Sequence, residues 1–368
     1  MGKIKVFHII TGGLQREGIS STQLEFFKHI DMNKYEIIVA AVHDNSDEMI
    51  REYESNHCTV LKFPDRQEHV FEYFFSLTKC IKKMKPDIVH VHGSSAIMSI
   101  ELLAAQAAGV KVRVAHSRNT KADREKLDRV LRPIFNNLYT DGMACGKDAG
   151  KWLFGKKPFT IIHNGKNFTK FHYDLQLRTL SREAYGLNDK IVVGHVGCFN
   201  YQKNHEYLIQ VFSEFNRRHT NAVLYLMGTG PCLNEIKKQV KDIGIEDKVI
   251  FAGSVNDVAE RLQAMDIMVF PSKFEGLPNV VLEWQAEGLP CLISDKITNE
   301  CAPSDLVEFA SIEDKPTNLV NEMECMLSKF TDRETQARRG TQALRENGFD
   351  IVDATKQLEN IYLKLIEH

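Results

Sequence analysis

No two cysteines in this 368-residue chain stand at C-x-x-C spacing. Its eight cysteines are scattered from Cys58 to Cys325, which excludes a zinc ribbon or a dithiol redox motif. A disulfide framework belongs to much shorter secreted chains, so the thiols read as reduced and the expected location is the cytoplasm. An excess of either charge is missing too. Lys plus Arg total 47 against 49 Asp plus Glu, a net of −2, where a nucleic-acid binder carries a strong basic surplus. Long apolar runs are also absent. The most apolar stretch, Ile97 to Val110, is interrupted by Glu101, Gln106 and Gly109 and cannot span a bilayer. The run from Val6 toward Gly12 is seven residues long and reads as a first strand rather than a signal peptide. No G-x-G-x-x-G follows that strand, because TGGLQREG has the wrong spacing, which argues against a nicotinamide-dependent oxidoreductase.

What is present is a repeated alternation. KVFHII, YEIIVAAV, CTVLKF, DIVHVH, VRVAH and FTIIHNG read as strands, separated by amphipathic stretches such as 70–85 and 121–138. IVVGHVG, AVLYLMG, KVIFAG, DIMVF and PCLIS repeat the scheme. Continuous Val/Ile/Leu runs between helices predict parallel sheets covered on both faces, hence an α/β chain of two doubly wound domains. The joint is expected between Asn164 and about Asp189, where an Asn-Gly turn opens a polar stretch without strand character. After CLISD the pattern turns helical, over roughly 315–330, 332–346 and from Asp350 onward. Doubly wound sheets bind ligands outside the carboxyl ends of their strands.

Charge is unevenly spread. Arg113 to Lys170 holds 13 basic and 5 acidic residues, a net of +8 on a near-neutral chain. Such a face suits solvation or an anionic partner such as acidic lipid headgroups. Within it, 121–138 alternates basic residues with Leu127, Val130, Leu131 and Ile134, the pattern of an amphipathic cover helix.

One stretch carries chemistry. In FEGLPNVVLEWQAEGLPCLISD, Glu275 and Glu283 flank a Gly-Leu-Pro-Asn turn. Pro278 suits a first helical turn, Gly288 the position past a helix end and Pro290 a stop, which predicts a helix over about 278–287. Its amino end is a seat for phosphate, with a carboxylate on each side able to accept hydrogen bonds from vicinal hydroxyls.

This E-x7-E pattern closely resembles the signature of family 4 retaining glycosyltransferases of GT-B fold, in the bacterial capsule and exopolysaccharide subgroup. VGCFNYQKNHEYLI resembles that family's phosphate-clamp loop, and LYLMGTGP its next strand and turn. KVIFAGSVNDVAERLQAMDIMVFPS resembles the run into the glutamates. TGGLQREG, PDIVHVHGSS, VRVAHSRNT and IIHNGKNF lie where the family has its glycine loop, substrate-side histidines and domain-closing turn.

The resemblance implies two Rossmann-like domains facing each other across a cleft. Residues 1–170 would bind acceptor and 171–349 the nucleotide-sugar, with 350–368 a helix crossing back to the first domain. It implies that Glu283 holds the donor ribose and Glu275 contacts the transferred sugar. Gly276, Leu277 and Asn279 would line the diphosphate, and Lys203 would neutralise it as it leaves. Gly12 and Gly13 would let the first loop approach the phosphates, Gly228 would contact the nucleotide, and His116 and His92 would sit toward the reacting sugar and acceptor. Cys198 stands where the family usually has Arg, a second cation for the phosphates that a thiol cannot replace.

The activity implied is retaining transfer from a nucleotide-sugar, UDP-hexose or UDP-N-acetylhexosamine, to a hydroxyl of a glycan or lipid-linked acceptor. The inner face of the plasma membrane is the expected place of work. Because no D-x-D triplet occurs, neither a metal nor a resident cofactor is expected, and cations and helix amides take the metal's part. Cys198 also keeps a second reading open, a non-catalytic partner subunit of the same fold.

Overall fold

The computed structural model describes residues 2–16, 18–122 and 124–367. Glu17 of the TGGLQREG stretch and Asp123 of the 121–138 stretch lie outside the described residues, as do the two terminal residues. The chain forms two compact units, one from residues up to Lys166 together with Gly348 onward, the other from Asn167 to Asn347. The sequence placed this joint at 170/171.

The first unit is built on seven parallel strands. They are β1 (Ile4–Ile10), β2 (Tyr35–Ala41), β3 (Thr59–Lys62), β4 (Ile88–Gly93), β5 (Val112–Ser117), β6 (Asp141–Ala144) and β7 (Thr160–Ile161). Their order is β3-β2-β1-β4-β5-β6-β7. The second unit has six, β8 (Ile191–Val196), β9 (Ala222–Met227), β10 (Val249–Gly253), β11 (Ile267–Phe270), β12 (Cys291–Ser294) and β13 (Val307–Ala310), ordered β10-β9-β8-β11-β12-β13. In each sheet the winding reverses once, between β1 and β4 and between β8 and β11. Those two points are where such folds open a crevice at the strands' carboxyl ends.

Alternation along the central strands sorts the core. Val6, Ile10, Ile88 and Val114 point to one face of the first sheet, Phe7, Ile9, Val89, Val91 and Ala115 to the other. The C-terminal helix Ile351–Glu367 covers the former face with Ile351, Ala354, Leu358 and Tyr362, spaced to form one apolar stripe. It is tied down where Lys166 N–H donates to Phe349 O at 2.7 Å and Ile351 N–H to Lys166 O at 3.1 Å. Further along, Glu359 accepts from Asp31 N–H at 2.8 Å.

Three elements differ from the sequence reading. β13 precedes the helical tail, a four-residue edge strand too short to show a period. β6, Asp-Gly-Met-Ala, lacks any apolar run and is held as a strand by pairing with β5. The polar joint region contains the helix Leu175–Ala184, capped by Asp174, whose carboxylate accepts from Gln176 N–H and Leu177 N–H. The 121–138 stretch forms the helix Glu125–Phe135, but its apolar residues do not all face inward. Leu131 and Phe135 pack on the core, whereas Leu127, Val130 and Ile134 are exposed.

Candidate active site

In the second unit the loops after β8 and β11, the two strands at the winding reversal, carry the predicted residues. Lys203 Nζ lies 2.7 Å from Glu275 Oε1, and both side chains are largely buried. Lys203 is aimed from three directions. Asn200 Oδ1 accepts its backbone N–H at 3.0 Å, its Nζ stands 4.6 Å over the Phe270 ring, and its stem packs beside Gly197. Behind it His195 stacks with Phe270 and His205 with Phe199. Burial pushes the pKa of His195 down to about 4 and that of His205 to about 2, and the Lys203 charge pushes the same way. Neutral rings therefore lie behind Lys203, whose Nζ faces Glu275.

Backbone geometry fixes the loops on either side. Gly228 has φ +138, and a side chain there would place Cβ 2.1 Å from Gly197 O. Phe199 N–H donates to Thr229 O and Cys232 N–H to Phe199 O, both at 2.8 Å, so the β8 and β9 loops are laced together. Cys198 is half-buried in this lacing, with its sulfur against Gly230.

The helix after β11 runs Asn279–Ala286, one residue shorter at each end than the sequence suggests. Pro278 is the residue before it, at φ −72 and ψ 108, and its ring sets the chain's entry. At the other end Gly288 takes φ +70 and Leu289 N–H donates to Trp284 O at 2.9 Å, a left-handed stop. Gly276, Leu277 and Pro278 are buried, while Asn279 and Glu283 are half-buried. Glu275 precedes the helix and Glu283 lies in its second turn, so the two carboxylates bracket its amino end. One turn beyond Glu283, Glu287 is fully buried against Gln263 and Arg333, and burial raises its pKa.

In the first unit Gly12 and Gly13 follow β1, one of the two strands at the winding reversal, while His92 lies within β4 and His116 within β5. Gly13 takes φ +84, and a Cβ there would lie 1.6 Å from His43 O, so the fold itself requires this glycine. Gly12 is exposed with open space around it. His92 and His116 are register partners on β4 and β5, and both are buried. His92 uses both ring nitrogens, Nδ1 at 3.0 Å from Arg118 Nη2 and Nε2 at 3.0 Å from His8 Nδ1. Both of its ring nitrogens are thus engaged within the cluster. His116 keeps Nε2, which is buried and has no partner among the described residues. Arg16 is paired with Glu48 and Glu52.

Sequence reasoning missed His8, Arg118 and Tyr362, which join His90, His92 and His116 in one cluster. The signal was there for the histidines, since His8, His90 and His92 share the two-residue alternation of the Val6 face. His8, His90 and His92 also approach a metal-binding spacing, with ligand atoms within 4.8 Å. The hydrogen bonds oppose that use. Arg118 can only donate, so His92 carries its proton on Nε2, the atom facing His8, and the guanidinium repels a cation.

Comparison with known proteins bears on the family and the fold. Residues 178–329 match the family model described as glycosyl transferases group 1, and residues 21–129 that of glycosyl transferase 4-like proteins. The putative glycosyltransferase EpsF of Bacillus subtilis is 30% identical over 310 residues, 80% of this chain and 80% of that protein. The UDP-Gal:alpha-D-GlcNAc-diphosphoundecaprenol alpha-1,3-galactosyltransferase of Escherichia coli is 26% identical over 99% of this chain and 98% of its own. Among solved structures, Anabaena HepE in complex with UDP-glucose superposes with a TM-score of 0.82 at 15% identity, covering 98% of this chain and 99% of that one.

Proposed function

The chain belongs to the glycosyl transferases of group 1, and on that premise we propose that it transfers a sugar from a UDP-linked donor to a lipid-linked glycan with retention at the anomeric carbon. It is a glycosyltransferase of α/β GT-B fold. The observation that carries the finer reading is the Lys203–Glu275 pair at the winding reversal of the second sheet. In this reading Lys203 stabilises the charge that grows on the departing diphosphate, and fixed cations count most in such water-poor sites. Glu275 meets the sugar, Glu283 the ribose, and the amides around Gly276, Leu277 and Asn279 the phosphates. No metal or other cofactor takes part. Retention follows the family resemblance, and the UDP donor and undecaprenol-type acceptor are supported by the names of the relatives above.

The surface of the first unit supports a lipid-linked acceptor. Val130, 70% exposed, and Ile134 stand among exposed Lys126 and Arg129 on one helix, and Phe71, 79% exposed, and Phe75 stand near Lys79, Lys82 and Lys83 on the helix Val70–Met84. Both helices pack on the helix Ser99–Ala107 between them, so the apolar and basic groups share one side of the unit. Aromatic side chains among cations are suited to an anionic membrane surface, here the inner face of the plasma membrane. Among the described residues no helix is long and apolar enough to cross a membrane.

The test is transfer from UDP-glucose, UDP-galactose and their N-acetylated forms to a diphosphoundecaprenol-linked sugar, with and without EDTA. Retention is read from the product's anomeric NMR signal. Lys203→Ala is expected to lower kcat about 100- to 1,000-fold, the usual loss for one charge-stabilising group. An inverted product, EDTA sensitivity or a Lys203→Ala variant as active as the parent would each overturn the corresponding part. A chain that restores a partner's transferase activity with Lys203→Ala in place would be a partner subunit.

A further inference from the structure

The cluster under the C-terminal helix resolves into two hydrogen-bonded chains. His8, His90, His92 and His116 are at most 1% exposed, and the His90 and His92 rings stack at 4.1 Å between centroids. In the first chain Arg118 Nη2 donates to His92 Nδ1, so His92 donates from Nε2 to His8 Nδ1 and His8 keeps its proton on Nε2. In the second, the Tyr362 hydroxyl lies 2.6 Å from His90 Nδ1, and His90 Nε2 lies 3.0 Å from His116 Nδ1.

The direction of the second chain follows from counting partners. With the phenol donating, His90 donates to His116 Nδ1, and a single N–H, on His116 Nε2, is left without a partner among the described residues. With the phenol accepting, its own proton has no acceptor and the His116 Nε2 lone pair is left as well. Buried polar groups are rarely left unmatched, so the first direction is the one the fold selects. Burial disfavours a proton on any of these rings, and the Arg118 guanidinium acts the same way.

We propose that Tyr362 is a positioning residue which, through His90, holds His116 as the Nε2–H tautomer, a fixed neutral donor for the substrate oxygen that this histidine meets in the proposed transfer. The substrate's part rests on the transferase reading; the tautomer does not. His116 thus donates a hydrogen bond and does not exchange a proton during the reaction. The C-terminal helix contributes to the site without touching the substrate.

The test is long-range 15N–1H NMR of the full chain labelled at histidine, with His116 assigned by its loss in His116→Gln. In the parent, His116 Nε2 is expected to be protonated and Nδ1 bare, and Tyr362→Phe is expected to give a mixture of both tautomers. In the same variant kcat is expected to fall about fivefold, the size of one ordinary hydrogen bond, with UDP affinity unchanged. His90→Gln, whose side-chain amide can still donate to His116 Nδ1, is expected to keep the parent tautomer. A bare Nε2 in the parent overturns the proposal, and so does a tautomer unmoved by Tyr362→Phe. Should Tyr362→Phe fail to fold, the parent spectrum and His90→Gln decide. The expected tautomers in a chain that transfers no sugar would refute the transferase reading and leave the relay standing.

Discussion

At position 198 a thiol lies half-buried between the β8 and β9 loops, with its sulfur packed on Gly230. The loop it belongs to is the one that delivers Lys203, so its side chain is close to where a diphosphate would lie in the proposed complex. Replacing it by a guanidinium adds a planar donor fork that a thiol lacks. Cys198→Arg is expected to tighten UDP binding about ten- to a hundredfold, the equivalent of ~1.5–3 kcal/mol for a charged hydrogen bond. Isothermal titration checks it, and an unchanged Kd would mean that another cation already occupies that place. The glutamates and Lys203 were legible because each belongs to a contiguous motif. Arg118 and Tyr362 were not, because their partners stand 26 and 272 residues away in sequence and nothing local marks them.

At the scale of elements, strands with continuous apolar runs were read correctly and the marginal ones were not. β6 and β13 have four residues each and owe their existence to a neighbouring strand rather than to their own pattern. The helix Glu125–Phe135 was legible as a helix, yet not in its orientation. Pattern alone assigned Val130 and Ile134 to the core, whereas Asp128 is the residue turned inward, accepting from Ala96 N–H at 2.7 Å and pairing with Arg132. An inward carboxylate rotates the apolar flank outward. Val130→Asp, at an exposed position, is expected to leave the melting temperature within about 2 °C. It should reduce flotation with vesicles containing anionic lipid severalfold. Equal flotation of variant and parent at low salt would show that this helix does not meet lipid.

For the molecule as a whole, six buried imidazoles set a limit on acid tolerance. His8, His90, His92, His116, His195 and His205 all have folded-state pKa values below the ordinary 6.5, chiefly through burial, with His8 at about 3. A group depressed on folding contributes stability that is complete above pH 6.5 and is lost as the pH falls through the window below it. Each can cost up to about 1.4 kcal/mol per pH unit in that window. Calorimetry between pH 7.5 and 5 should therefore show a steep fall in melting temperature beginning near 6.5. A flat profile to pH 5 would mean that the rings take up protons in the folded state as readily as in the unfolded chain.

The return of the C-terminal helix has a consequence in time. During synthesis the seven strands of the first sheet leave the ribosome early, but the stripe that covers one of its faces follows the whole second unit. Roughly 180 residues of the second unit intervene, which at about 5–20 residues per second is a wait of some ten to forty seconds. Through that interval the face bearing the histidines has no lid, while the second unit, uninterrupted in the chain, has everything it needs to fold. The nascent first half must therefore be sheltered or stay loose until the helix Ile351–Glu367 has been made.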